Sequence, residues 1–403
     1  MRQRRGKKDK ENVIYFLLVS YALMSINTIY LPKIIYNSLK NPHTQLNSIP
    51  NSAVNPLLFN STNAYNHLSY QLDIGYRVPG TADHDECADW IRSQMLTRTD
   101  EVVTHEFSIL GIDCKNIFGK INTQKEKIVI FGAHWDSRAV AEKDPDPAKQ
   151  NDPIPGANDG ASGVAVLMEF ARVLYQLKGN IDAQIWFLFI DAEDQGKSNG
   201  IYGIEGWDWC EGAKEFTENI DDFYDSTSKE IECFILLDMV GGTNLRFIRE
   251  SWSSSSLHDA IWEIGRALGY TDEFPLNPLW MQIIDDHRYF KHIGIPSIDL
   301  IIDFSTGNSE WDHHHKQSDN LSNIDQNSLD VTGKTIEKFI RVYYFDDSSG
   351  DGWNDNYPTW VIWIFTISGG ITLGLISIKL IHKVKIRKIQ ELHSTNNHET
   401  DLN

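Results

Sequence analysis

The sequence predicts an α/β domain built on a largely parallel sheet with helices on both faces. Three observations carry that expectation. Apolar runs of strand length alternate with longer stretches at helical spacing. The strand-like runs are apolar at nearly every position, not at alternate ones. Polar residues able to bind a ligand close most of them. Strands covered on both faces read as unbroken apolar runs, and in such folds the ligand site lies beyond the carboxyl ends of the strands.

The elements follow in chain order. "ADHDECADWIRSQM" (82–95) has helical spacing. "KIVIFGA" (127–133) is a short apolar strand closed by Gly. "GASGVAVLMEFARVLYQL" (160–177) is strongly helical. "AQIWFLFI" (183–190) and "CFILLDMVGG" (233–242) are buried strands. "SLHDAIWEIGRAL" (256–268) is a helix, "IPSIDLIIDF" (295–304) a strand, and "DQNSLDVTGKTIEKFIRVYY" (325–344) a long helix.

The 403 residues are 41% hydrophobic and 23% charged, with a net charge of −19. Length allows one large domain or two small ones. Both ends are basic, so the body between them is more acidic still, and it would repel phosphate; nucleic acid is excluded as a partner. Two apolar runs stand outside the body. "VIYFLLVSYALMSINTIYL" follows the basic "RQRRGKKDK", and "WVIWIFTISGGITLGLISI" precedes the basic "KLIHKVKIRK". Each is long enough to cross a hydrocarbon core of about 30 Å at about 1.5 Å per residue. By the positive-inside tendency both termini are cytoplasmic and the body lies on the extracytoplasmic side, a multi-pass membrane arrangement. The expected organisation is a cytoplasmic tail (1–12), a transmembrane helix or signal anchor (13–31), an Asn- and Pro-rich linker (32–65), the folded body (66–345), an Asp/Gly-rich linker (346–359), a second transmembrane helix (360–381) and a cytoplasmic tail (382–403). A cleaved signal peptide is the alternative for the first run, although no A-x-A-like site follows it. None of Cys87, Cys114, Cys210 and Cys233 forms C-x-x-C, so a cysteine zinc site is not expected; pairing among them is left open.

The polar residues at the strand ends carry the chemistry. His134 and Asp136 follow the first strand, and Asp159 precedes a helix. Glu193 and Asp194 follow "WFLFI", Asp238 closes the next strand, and "DDH" (285–287) precedes a helix-like segment. His313, His314 and His315 lie after "DLIIDF". Each alone reads as an ordinary loop residue. Together, at one sheet edge, His and carboxylates without Cys suit a catalytic zinc, which takes three protein ligands and keeps one open position. A carboxylate can bridge two such ions. A bound cation would also offset the repulsion among Asp191, Glu193 and Asp194. Of the adjacent acids Glu193 and Asp194, one can bind metal while the other carries a proton.

These residues resemble the co-catalytic zinc aminopeptidase superfamily, metallopeptidase family twenty-eight, which includes the glutaminyl cyclases. The matching stretches are "RVPGT", "HWDS", "GANDGASG", "DAEDQG", "LLDMVG", "DDHRYFKHIGIPSIDLI" and "HKQSDNLSNID", spanning residues 77–325. The resemblance implies a three-layer α/β/α sandwich with a mixed, mainly parallel central sheet, and makes 66–345 a zinc-dependent catalytic domain. It implies that Asp159 bridges metals, that Glu193 is the general base, and that Asp194 stands where the family usually has a ligating Glu. It implies His315 as the last ligand, with Asp319 four residues on, and His134 and Asp238 as ligands of a second metal in the two-metal peptidases. His314 replaces the aromatic residue that often precedes the last ligand; His313 is the less favoured ligand. In the cyclases Asp286 would join Glu193 and Asp238 in handling protons. Trp207 and Trp209 are candidates to wall the pocket, with core packing as the alternative.

The "DDH" form and "HWDSR" lean towards a glutaminyl-peptide cyclotransferase, an acyltransferase that turns an N-terminal Gln into pyroglutamate and releases ammonia. The alternative is a metallo-aminopeptidase, a hydrolase. A third reading is a catalytically silent membrane-anchored ectodomain. The expected cofactor is zinc, one ion or two, and the expected partner a peptide or protein with a free N-terminus.

Overall fold

The structure, a computed structural model, describes residues 56–305 and 311–346. At its centre is a six-stranded sheet of β1 (Glu101–Ile109), β2 (Ile112–Ile121), β3 (Lys127–His134), β4 (Gln184–Ile190), β5 (Glu230–Asp238) and β6 (Ser297–Ile301). Their spatial order is β1-β2-β4-β3-β5-β6. The four strands β4, β3, β5 and β6 run parallel. β2 is antiparallel to both of its neighbours, so the sheet is mixed but mainly parallel.

Side-chain alternation divides the strands between two cores. Val129, Phe131, Ile185, Phe187, Phe189, Ile235 and Leu237 face one side. There they meet α1 (Ser61–Ile74), α2 (Ala82–Met95), α3 (Ala161–Leu177), α5 (Ser255–Ala267) and α7 (Gln326–Tyr343). Ile128, Ile130, Trp186, Leu188, Phe234 and Leu236 face the other side, against α4 (Glu211–Glu218) and α6 (His287–His292). Both faces are covered, which is why the central strands carry no polar side. This is the sandwich expected from the sequence.

Two elements were not visible in the sequence pattern. β1 and β2 form a hairpin in which Ile109 pairs with Ile112, leaving only Leu110 and Gly111 in the turn. Both have positive φ, 49° and 86°, the geometry that fits a right-twisted two-residue hairpin. Leu is an unusual choice there, and β1 is largely half-exposed, so neither turn chemistry nor alternation marked it. Helix α1 starts at Ser61, inside the stretch expected to be linker. Asn60 caps it by accepting from the Thr62 and Asn63 amides, and Ala64, Leu68 and Gln71 form its buried face. Upstream, the Leu58 and Phe59 amides donate to the Glu337 carboxylate, so ordered packing begins before residue 66.

All four cysteines are free and buried. Among the described residues no helix is long and apolar enough to cross a membrane. The two apolar segments, 13–31 and 360–381, lie outside the described residues.

One buried group in α5 makes stability depend on pH. His258 is buried, and neither ring nitrogen has a hydrogen-bond partner. Burial, then the Arg249 charge, lowers its pKa to about 3. The unfolded chain binds the proton near the ordinary value of 6.5, so the stabilisation is complete above that pH and is lost as pH falls towards 3. The expected loss is about 1.4 kcal/mol per pH unit below 6.5. Denaturant unfolding at pH 7.5 and 5 should show it, and His258→Phe should flatten the difference; an unchanged difference would refute the assignment.

Candidate metal centre

The parallel strands end together. His134 is the last residue of β3, level with Ile190 of β4, and Asp238 is the last residue of β5, level with Ile301 of β6. Asp159 immediately precedes Gly160, the residue before α3. Gly160 has φ of 92°, and a Cβ there would meet the Asp136 carbonyl at 2.8 Å and the His134 ring at 3.0 Å. Glycine therefore lets the Asp159 loop approach β3 closely.

Two buried aspartates hold the loops in place without joining the donor groups themselves. Asp319 accepts from the Asn158 amide at 2.8 Å and the Asp159 amide at 3.0 Å. Asp136 accepts from the Glu193 amide at 3.0 Å, the Asp194 amide at 3.2 Å and the Gln195 side chain at 3.0 Å. Asp191, one of the three crowded acids, turns away: it contacts the His84 ring at 2.9 Å and accepts from the Lys115 amide at 2.7 Å. Ala192, Met239 and His315 have positive φ of 57°, 47° and 57°. That conformation costs an L-residue roughly 1 kcal/mol or more and tends to gather where function over-determines the backbone.

Two donor groups result, and they share Asp159. The first joins Asp159, Asp194 and His315. His315 Nε2 lies 3.1 Å from Asp194 Oδ1 and 3.9 Å from Asp159 Oδ2. The second joins His134, Asp159 and Asp238, with His134 Nε2 3.1 Å from Asp159 Oδ1 and 3.2 Å from Asp238 Oδ1. Ligands about 2.1 Å from a tetrahedral zinc stand about 3.4 Å from one another. The second group is that compact, with its three donor atoms within 4.8 Å of one another; around His315 the trio that meets the same limit is Asp159, His314 and His315, with Asp194 3.1 Å from His315 Nε2. The two groups differ in satisfaction. Asp159 Oδ2 and Asp194 Oδ2 are buried and lack a hydrogen-bond partner. A buried carboxylate oxygen without a partner is strongly unfavourable, and a divalent cation at the first group would remove that penalty. The second group is closed by His134 itself. Burial disfavours its charge, but bonds to Asp136, Asp159 and Asp238 outweigh that and raise its pKa well above the ordinary value.

His314 stands next to His315, with ring centroids 3.8 Å apart and its Nε2 3.8 Å from Asp159 Oδ2. Lys143 Nζ donates to its Nδ1 at 2.7 Å. Burial, then His315 and Lys143, lower its pKa well below the ordinary range, so it stays neutral. His313 sits apart, its Nδ1 2.9 Å from the Ser318 hydroxyl. Trp209 stacks against His315 at 5.9 Å and under Arg138 at 4.8 Å, so it walls the site. Trp207 is buried in a small cluster with Cys114 and Ala192 instead.

Glu193 is almost fully buried, and Cys210 Sγ donates to its Oε1 at 3.2 Å. Burial, against the pull of His134 and with the charges of Asp194, Asp285 and Asp286, pushes its pKa well above the carboxylate range. Asp285 brings a carboxylate oxygen within 4.8 Å of both Glu193 and Cys210, and the charges of Asp285 and of Asp286, the acid expected from the sequence, both act on Glu193 and Cys210. Asp286 is buried, with both carboxylate oxygens unpartnered. Burial and then Asp238 raise Asp285 to about 7.

Sequence reasoning also missed Glu142 and Lys143, and met Arg138 only as the last residue of "HWDSR". Glu142 Oε1 is 2.5 Å from His315 Nδ1, while its other oxygen accepts from Arg138 Nε at 2.7 Å. Burial opposes ionisation, but His315 and then Arg138 hold Glu142 at about 2. It fixes the ring so that Nε2 faces the carboxylates, the task of a ligand's hydrogen-bond partner. Its position in an irregular Asp/Pro-rich loop gives no periodic signal. Glu142→Gln should weaken zinc binding roughly 10- to 100-fold. A competition titration with a zinc chelator would measure it, and an unchanged affinity would refute the role.

A family model described as Peptidase family M28 matches residues 116–340. Among solved structures the chain is similar to a Zn-dependent exopeptidase from Parabacteroides distasonis ATCC 8503, at 34% identity over 72% of this chain and 99% of that one, with a TM-score of 0.64. It is also similar to a glutaminyl cyclase from Bacteroides thetaiotaomicron bound to N-acetylhistamine, at 30% identity, 70% and 97% coverage and a TM-score of 0.64. By sequence it is 23% identical to a glutaminyl-peptide cyclotransferase of Gloydius blomhoffii over 57% of this chain, and it spans 65% of that protein's length. The extent of the family match and the coverage of these structures settle the lineage: the chain belongs to peptidase family M28.

Proposed function

We propose that the chain is a zinc-dependent glutaminyl-peptide cyclotransferase, with one zinc held by Asp159, Asp194 and His315. One observation carries this choice over the two-metal aminopeptidase. The unpartnered buried oxygens, Asp159 Oδ2 and Asp194 Oδ2, belong to the first group, whereas His134 closes the second by binding both its carboxylates. Cyclisation needs one zinc and no water. Bound there, zinc would supply Lewis-acid polarisation of the substrate's side-chain amide carbonyl.

The protein does the rest. Trp209 walls the pocket, and the burial of Glu193 keeps bulk water from the reacting centre. The substrate's α-amine attacks the δ-carbon of its own Gln, forming the ring C–N bond. Glu193 takes the proton that the amine loses and passes it to the departing nitrogen, so that the old C–N bond breaks and ammonia leaves. Asp286, with Asp285 beside it, stabilises the carboxyl group as its proton comes and goes; the charges of both act on Glu193.

Chelation and zinc add-back, with ammonia and free amino acids assayed on the same peptides, tests the reading. Ammonia release from Gln-peptides at one zinc per chain is the expected result. Release of N-terminal residues with two zincs would establish the aminopeptidase instead. Neither product, with no bound zinc, would establish the silent ectodomain. The reading includes location: the segments 13–31 and 360–381 anchor the chain, both termini are cytoplasmic, and the site faces the extracytoplasmic side.

A further inference from the structure

A second recess adjoins the metal centre. Its volume is about 250 Å³, and Asp208, Trp209, Ile284, Arg288, Tyr289 and His292 line it. That is below the roughly 300–1,000 Å³ of pockets for drug-sized ligands, and suits one amino-acid side chain. Two features tie it to the site. Trp209 is common to both, one ring touching His315 and lining the recess. Arg288 and Tyr289 lie two and three residues after Asp286, in the first turn of α6. A peptide with its amino end at the zinc donors therefore meets this recess with the residues that follow.

Its chemistry is set by Arg288. The guanidinium lies over the Trp252 ring, 4.8 Å from the centroid. Its Nε is buried with no hydrogen-bond partner. A guanidinium held against an aromatic ring keeps its in-plane N–H donors free, and that planar fork matches a carboxylate. Lys291 sits over the same ring at 5.8 Å, and His292 lines the recess, so α6 forms a basic spot on an acidic protein. Asp208 opposes an anion, but it is exposed, and water screens its charge. Ile284 and Tyr289 provide apolar contact for the stem of the bound residue.

We infer that this recess is a specificity subsite in which Arg288 binds a carboxylate carried just behind the substrate's N-terminal residue. The inference rests on the proposed site as the place where the amino end docks. Two sources share that chemistry: an Asp or Glu side chain, and the free carboxyl terminus of a dipeptide.

The test separates binding from turnover. In zinc-loaded full-length Glu193→Gln protein, calorimetry measures Kd for Gln-Glu-Ala-amide against Gln-Gln-Ala-amide, and for Gln-Ala against Gln-Ala-amide. The carboxylate-bearing peptide of at least one pair should bind about tenfold more tightly, the range of a charge-assisted bidentate contact. The first pair reports a side-chain carboxylate and the second a terminal one. Adding Arg288→Gln should abolish the preference, and Arg288→Lys should keep part of it; a purely structural role would weaken all peptides alike. Equal affinities within both pairs, or a preference that survives Arg288→Gln, would overturn the inference. Ammonia release by the unmodified protein is read separately, so failure of the cyclase reading is told apart from failure of the subsite.

Discussion

Glu193→Gln is expected to reduce turnover roughly 10²- to 10⁴-fold, the usual contribution of a positioned acid–base group, while bound zinc stays at the native level. The structure gives both halves of that expectation. Glu193 lies next to Asp194, yet its carboxylate accepts from Cys210, lies within 4.8 Å of Asp285 and takes no part in the group formed by Asp159, Asp194 and His315. Its backbone is pinned by Asp136 through the amides of residues 193 and 194, so the substitution leaves the loop where it is. Gln has the same shape and still accepts from Cys210, but it cannot carry the proton. Gln is neutral, and burial already disfavours an ionised Glu193, so the fold should not weaken. Turnover on a Gln-peptide and zinc content by mass spectrometry check it together. Activity within tenfold of the native level would move the base elsewhere.

Asp159→Ala is expected to abolish zinc binding and activity together. Asp159 is the one residue in both donor groups, with Oδ1 towards His134 and Oδ2 towards His314 and His315. Its removal leaves the first group with one carboxylate and one imidazole, short of the three protein ligands of a catalytic zinc. The loop survives, because Asp319 grips it through backbone amides rather than through this side chain. The chelated variant should therefore unfold within about 1 kcal/mol of the chelated native protein. Equilibrium dialysis against zinc and denaturant unfolding would show both effects; stoichiometric zinc in the variant would contradict the assignment.

The central strands were legible because burial on both faces leaves them no polar positions, as "IVIFGA" and "WFLFI" show. Their polar closures located the site, since parallel strands bring His134, Glu193 and Asp238 to one edge whatever the loops do between them. The hairpin at 101–121 was not legible: its first strand is half-exposed without alternation, and a Leu occupies a left-handed turn position. Helix α1 was hidden by its Asn- and Ser-rich composition, which reads as loop until its three buried residues are seen against α3 and α7.

Within the site, the residues that touch the proposed zinc could be named from sequence, and the residues that aim them could not. Glu142 reaches His315 across 173 positions, a contact fixed only by the folded loop. Asp319 and Asp136 act through backbone amides, a role with no side-chain signature. Arg288 draws attention only once its Nε is found unpartnered beside Trp209.

The central claim is that Asp159, Asp194 and His315 gather round one zinc. Crystals of the zinc-loaded protein, with diffraction recorded on either side of the zinc absorption edge, would locate the ion directly. A single anomalous peak about 2.0–2.2 Å from a carboxylate oxygen of Asp159, one of Asp194 and Nε2 of His315 is the predicted result. A peak held by His134 and Asp238 without His315, or no peak in protein that still turns over, would contradict it.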